Sequence, residues 1–179
     1  MATTRTSQIT LFLVFGIAAL VAGYWFAEHR QQTESGNLAK EQSDTLVSFA
    51  ARDSQGMDRN LDEWRGQPLI VNFWATWCTP CREEIPDLID AQQEFANRIQ
   101  ILGFAVDRAE PVASFIDEFG FNYPTLVGES EGMELMALYG NNGALPFTIA
   151  FDRDGQLVAR KLGQVSASKI VEMVDAANP

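Results

Sequence analysis

Cysteine, histidine and basic residues are all scarce in this 179-residue chain, which has two Cys, one His, and 13 Lys plus Arg against 24 Asp plus Glu. The first two shortages exclude a structural zinc site, which needs four Cys or His ligands together. Cys78 and Cys81 are neighbours, but His29 is far from both. The third shortage leaves a formal net charge of −11. That argues against a nucleic-acid partner, because such binding needs a basic patch. No internal repeat and no low-complexity block occurs. With 46% hydrophobic and 21% charged residues, the chain has room for one domain of ordinary size and an apolar extra.

The apolar extra is residues 9–27, which carry no charge. As a helix they would span about 28 Å, close to the roughly 30 Å hydrocarbon core of a bilayer. Tyr24 and Trp25 lie at one end, as an interfacial belt would place them, and Glu28-His29-Arg30 ends the run. The run reads as an uncleaved transmembrane anchor in preference to a cleaved signal peptide. It lacks an Ala-x-Ala site, and Val21-Ala22-Gly23 is a weak one. Arg5 and the α-amine on one side against Arg30 on the other only slightly favour a cytoplasmic N-terminus, residues 1–8. Residues 28–44 are polar and read as a linker. Residues 45–179 are left for the folded domain.

The domain is organised around Phe73-Trp74-Ala75-Thr76-Trp77-Cys78-Thr79-Pro80-Cys81. Leu69, Ile70, Val71 and Phe73 lead in as a short apolar run, which predicts a buried strand. Beyond it, Cys81, Ile85, Leu88 and Ile89 recur at spacings of three and four, which predicts a helix. Pro86 is expected to bend that helix. The two cysteines therefore sit where a strand hands over to a helix. A helix N-terminus offers unpaired N–H groups and partial positive charge, so a thiolate there is favoured over the thiol. The helix end is worth about 0.3–1 kcal/mol. Bringing a thiol from about 8.5 to near 7 takes about 2 kcal/mol, so a second contribution is needed. The S–H of Cys81 is placed to donate to the sulfur of Cys78. Pro80 fits the first helical turn, where its missing N–H costs little. An inert bridge over so short a loop would add little stability, so the pair reads as a redox dithiol.

The remaining elements follow in order. Residues 46–51 predict a strand, 53–56 a turn, and 60–65 one helical turn stopped by Gly66. Residues 99–106 predict a second apolar strand. A helix follows, with Pro111 at its start, Val112, Phe115, Ile116 and Phe119 on one face, and Gly120 beyond its end. Residues 123–127 read as a short strand or turn, and 131–139 as a helix with Leu135, Met136 and Tyr139 inward. Residues 147–162 predict a β-hairpin around 152–155, and 168–177 a last helix with Ile170, Val171 and Val174 buried. Alternating units followed by a hairpin and a helix predict an α/β fold: a central mixed sheet with helices on both faces.

The run from Val71 to Pro86, with its Trp77-Cys78-Thr79-Pro80-Cys81 core, resembles the active-site signature of the thioredoxin superfamily. It is most similar to the membrane-anchored TlpA- and ResA-like thiol–disulfide oxidoreductases, a branch that includes reductants for cytochrome c maturation. Gly143-Ala144-Leu145-Pro146-Phe147-Thr148, just before a predicted strand, is the second point of likeness. The resemblance implies a thioredoxin-like fold over roughly residues 45–177, an attacking Cys78, a resolving Cys81, and a redox disulfide between them. It implies a cis peptide before Pro146, with the Leu145 backbone left free to pair with a substrate strand. Glu84 falls on the acidic residue that this branch carries in its active-site helix. Cytosolic thioredoxins keep a buried Asp six residues before the first cysteine, where this chain has Asn72. Any proton-transfer role thus moves from strand to helix. The plainer reading of Glu84 is a solvated side chain on a helix face. Trp77 reads as a contact platform beside the exposed sulfur, or as core; Trp74 and Phe73 read as packing.

These readings predict a single-pass protein of a bacterial inner membrane, with its catalytic domain in the periplasm, reducing disulfides of exported proteins. The expected clients are an apocytochrome c, copper-site assembly proteins or a general set of misoxidised proteins, and a membrane electron donor is expected to re-reduce the pair, because that compartment has no large reducing pool. No cofactor and no metal are expected. A copper(I)-handling module using the same thiolates is one rival, but no Met-x-Cys or nearby His supports it. A disulfide oxidant or isomerase is another, because the direction depends on the redox potential. A peroxidase would call for Thr-x-x-Cys, whereas Ala75-Thr76-Trp77 precedes Cys78.

Overall fold

In the computed structural model the described residues, 44–179, form seven strands and four α-helices. In chain order they are β1 (Ala50–Asp53), β2 (Asp58–Asn60), β3 (Leu69–Trp74), α1 (Thr79–Glu94), β4 (Gln100–Ala105) and α2 (Ala109–Phe119). Then come β5 (Thr125–Val127), α3 (Glu129–Leu138), β6 (Phe147–Phe151), β7 (Leu157–Leu162) and α4 (Ala167–Ala176). The expected anchor, residues 9–27, and the linker as far as residue 43 lie outside the described residues. Among the described residues no helix is long and apolar enough to cross a membrane.

The strands make one mixed sheet in the order β2-β1-β5-β4-β3-β6-β7. β3 lies parallel to β4 and antiparallel to β6, and β4 lies parallel to β5. All six residues of β3 are buried, because both of its faces are covered. Side chains alternate along a strand. Leu69, Val71 and Phe73 therefore point to one side, where Leu135 and Met136 of α3 pack with Leu61 and Trp64 of a 3₁₀ turn. Ile70, Asn72 and Trp74 point to the other, beneath α1, α2 and α4. A continuous apolar run is the pattern such a doubly covered strand requires. α1 runs through Pro86 as one element, and α2 stops at Gly120, whose φ of 67° suits a residue without a Cβ. Gly103 in β4 has a different reason: a Cβ there would come within 2.8 Å of Thr125 Oγ1 and 3.1 Å of Trp74 Nε1.

Three predictions need correction. The strand placed at residues 46–51 starts at Ala50. Leu46 is buried, but its N–H bonds the Gly155 carbonyl, and the Val47 N–H bonds the Tyr139 hydroxyl. That backbone is engaged elsewhere than in the sheet. β2, the polar triplet Asp58-Arg59-Asn60, was not predicted because it has no apolar alternation; its pairing with β1 makes it a strand. In α4, Val171 is 39% exposed, while Ile170, Met173, Val174 and, at the C-cap, Ala177 form the buried stripe. Their spacing of three, four and seven follows one helix face, and Val171 lies off it. Accordingly, Ile170→Ala should cost about 2–5 kcal/mol in denaturant unfolding, whereas Val171→Ala should stay within about 0.5 kcal/mol.

Candidate active site

β3 delivers the reactive segment. After Trp74 the chain turns, the Cys78 N–H bonds the Ala75 carbonyl at 3.1 Å, and Cys78 becomes the N-cap of α1. Thr79 and Pro80 open the helix, with the proline where no helical N–H is required. Cys78 and Cys81 are joined in a disulfide with Cα atoms 5.3 Å apart. Cys78 keeps 6% of its surface and Cys81 keeps none. A partner arriving from solvent therefore meets Cys78 first. Among the described residues no cluster of three or more His, Cys, Asp or Glu is placed to hold a metal ion.

Three elements frame the pair. Phe147, the first residue of β6, lies opposite Phe73, so Leu145 and Pro146 fall beside the end of β3. The Leu145–Pro146 peptide is cis, Pro146 is buried, and half-buried Leu145 packs on the cluster that contains Cys78, Cys81 and Trp74. Trp77 is 68% exposed, which makes it a surface residue and not core. Trp74 and Phe73 are wholly buried packing residues. The guanidinium of Arg82 lies over the Phe115 ring, 5.5 Å from its centroid, and so leans toward α2.

Two further groups were not given roles from sequence. Asp107, just past β4, is buried and accepts from the Thr76 N–H at 3.0 Å, from the Thr76 hydroxyl, and from the Arg108 N–H at 2.8 Å. β3 and β4 are parallel neighbours, so one carboxylate at the end of β4 holds the loop at the end of β3. Asn72 is the second. Its amide donates to Glu84 Oε1 at 2.7 Å and to Thr148 Oγ1 at 2.9 Å. The sequence marked Asn72 only as the place where related proteins carry Asp. No short-range pattern announces Asp107.

Glu84 is the main electrostatic feature. It has no exposed surface, which overturns the reading of a solvated side chain. Its position explains this: Cys81, Glu84, Ile85 and Leu88 share the inward face of α1, and all four are buried. The carboxylate accepts from the Asn72 amide and, at Oε2, from the Val165 N–H at 2.7 Å. Burial dominates and pushes its pKa up to about 7, against the downward pull of those two hydrogen bonds. A buried acid that titrates near neutrality, one helical turn from Cys81, is suited to taking up and returning a proton.

With that geometry in view, the likenesses to known proteins are informative. A thiol-disulfide oxidoreductase ResA of Bacillus anthracis is 26% identical over 164 residues, covering 90% of this chain and 89% of the relative. The ResA of Geobacillus thermodenitrificans is 28% identical over 139 residues, covering 75% of this chain and 77% of its own length. Among solved structures, a thiol:disulfide interchange protein of the thioredoxin family from Chlorobium tepidum superposes with a TM-score of 0.69. It shares 27% identity and covers 76% of this chain and 97% of that one. A secreted thiol-disulfide isomerase from Corynebacterium glutamicum superposes with a TM-score of 0.67 at 24% identity, covering 75% of this chain and 86% of that one, and shows the same fold. The AhpC/TSA family matches residues 43–160, and this chain, with its thioredoxin-like sheet and Cys78–Cys81 pair, belongs to that family.

Proposed function

We propose that this chain is a thiol–disulfide oxidoreductase that reduces disulfides of exported proteins from an anchored position outside the cytoplasm. The observation that carries the reading is the Cys78–Cys81 bridge at the N-terminus of α1, with buried Glu84 one turn further along the helix. The relatives named as thiol-disulfide oxidoreductases support the chemistry. The uncharged run at residues 9–27 supports the location, as does the relative described as secreted.

The exchange runs in two balanced steps. The Cys78 thiolate, favoured by the helix N-terminus, attacks one sulfur of a client disulfide. A Cys78–client bond forms, and the second client sulfur leaves as a thiolate and takes a proton. Cys81 then passes its proton to the Glu84 carboxylate and attacks the Cys78 sulfur. The first client sulfur leaves as a thiolate and takes a proton, Glu84 gives up the proton it accepted, and two electrons have moved from the dithiol to the client. Trp77, Leu145 and Pro146 frame the approach, with the Leu145 backbone available to pair with an extended client segment. A membrane electron donor reduces the Cys78–Cys81 bridge again. Suitable clients are exported proteins holding a disulfide that must be opened, such as an apocytochrome c or a copper-site assembly protein.

Two outcomes test this. Cys81→Ser removes the resolving thiol, so client proteins should accumulate in mixed disulfides with Cys78, seen as reductant-sensitive bands on non-reducing gels from intact cells. Absence of such species while Cys78 is still alkylated would falsify the exchange mechanism. The second outcome concerns Glu84. Its pKa is raised from 4.5 to about 7 in the oxidised fold, so between those values the folded state keeps a proton that the unfolded state has lost. Stability from this group is therefore present at acid pH and falls as pH rises through that window, by on the order of 3 kcal/mol. Urea unfolding at pH 5 and pH 8 should show that fall in the parent protein and not in Glu84→Gln, whose uncharged side chain carries no such proton.

A further inference from the structure

The sheet face beneath α1 carries one polar row. Lys161 of β7 pairs with Thr148 of β6, Thr148 with Asn72 of β3, Asn72 with Gly103 of β4, and Gly103 with Thr125 of β5. Residues in register lie on the same face. The flanking rows are apolar: Ala150, Ile70 and Ile101 on one side, Trp74 and Ala105 on the other. Glu84 sits over the row, bonded to its central member, Asn72.

One end of the row reaches solvent. Lys161 is half-buried and lines a cleft of about 760 Å³ with Asp87, Val165, Lys169 and Glu172. Val165 is buried, and its N–H is the second donor to Glu84. Asp87 is half-buried and lies three residues beyond Glu84 on α1, within reach of the same face. Trp77, Cys78, Leu145 and Pro146 do not line this cleft. Of its two lysines, Lys169 is tied to Glu172 at 2.7 Å, whereas Lys161 makes no ion pair among the described residues. Asp87 makes none either.

We propose that Lys161 and Asp87 are positioning residues for the exchange reaction, setting with opposite charges, from a cleft apart from the sulfur face, how readily Glu84 takes a proton. This rests on Glu84 being the proton acceptor of Cys81. The charges act on Glu84 with opposite sign: Asp87 favours the protonated acid, and Lys161 favours the carboxylate. The other groups facing Glu84 are the Asn72 amide, the Val165 N–H and the buried hydroxyl of Tyr123. That hydroxyl is itself held well above its ordinary range, first by burial and then by the Glu84 charge. None of these three carries a charge at neutral pH, and the Cys81 thiol is itself the partner in the proton exchange, so the two cleft residues are the charged groups acting on Glu84 from outside that exchange. A client covering the sulfur face leaves them in contact with water.

The test follows the Glu84 carboxyl directly, by carbon-13 NMR of the reduced full chain labelled at glutamate, with the resonance assigned through Glu84→Gln. Alkylation of Cys78 against pH is followed in parallel. Lys161→Gln should raise the Glu84 midpoint and Asp87→Asn should lower it, each by about 0.3–0.7 pH unit, the range expected of one partly screened charge. Lys161→Arg should restore the parent value, and Lys169→Gln should leave it unchanged. A midpoint unmoved in either charge-removing variant, or moved the same way in both, overturns the proposal. If the carboxyl midpoints move as stated but the alkylation profiles do not, the cleft residues control Glu84 as proposed, and the coupling of Glu84 to the thiols is what fails.

Discussion

A strand covered on both sides governs this molecule. β3 can satisfy neither face with water, so each of its residues must match a particular neighbour: α3 and the 3₁₀ turn on one side, α1, α2 and α4 on the other. A one-residue slip would exchange the two faces. It would drive Asn72 among Phe104 and Phe147 and take its amide away from Glu84. The place where β3 ends is fixed to the same degree, and with it the position of Cys78 at the head of α1. The reactive sulfur owes its placement to packing that lies almost wholly out of its reach.

The same covering makes Glu84 costly. A carboxylate without water is unfavourable by several kcal/mol unless it is hydrogen-bonded or neutralised. Here two donors meet its two oxygens, one from the strand and one from the β7–α4 connection. They compensate for only part of the lost hydration, and the acid remains poised near neutrality. A fully satisfied carboxylate would hold its charge too firmly to accept a proton, and a wholly apolar pocket would never release one. Asn72 holds the Glu84 carboxylate by donating to it, which an ionised aspartate at that position could not do.

The order of strands and helices was legible because the apolar runs are clean and the stops are chemical, as at Gly120. Cys78, Cys81, Trp77, Leu145, Pro146 and Glu84 were all singled out from sequence, and the structure gathers the first five around one disulfide with Glu84 beneath the helix. What was not legible depends on distant partners. β2 is a strand only because β1 lies beside it. Whether Glu84 is buried depends on how α1 rolls on the sheet, and Val171 lost its expected place by the same geometry. Asp107 and Val165 touch the site through a carboxylate from the end of the neighbouring strand β4 and a main-chain N–H. Neither leaves a mark on local periodicity.

The bond from Val165 to Glu84 joins positions 81 residues apart. A chain made from its N-terminus has both sulfurs long before it has the residue that completes the carboxylate's setting. Until α4 and the turn before it are in place, the Glu84 carboxylate lacks one of its two donors. The newly emerging polypeptide thus carries both cysteines in the open well before the surroundings of its buried carboxylate are complete.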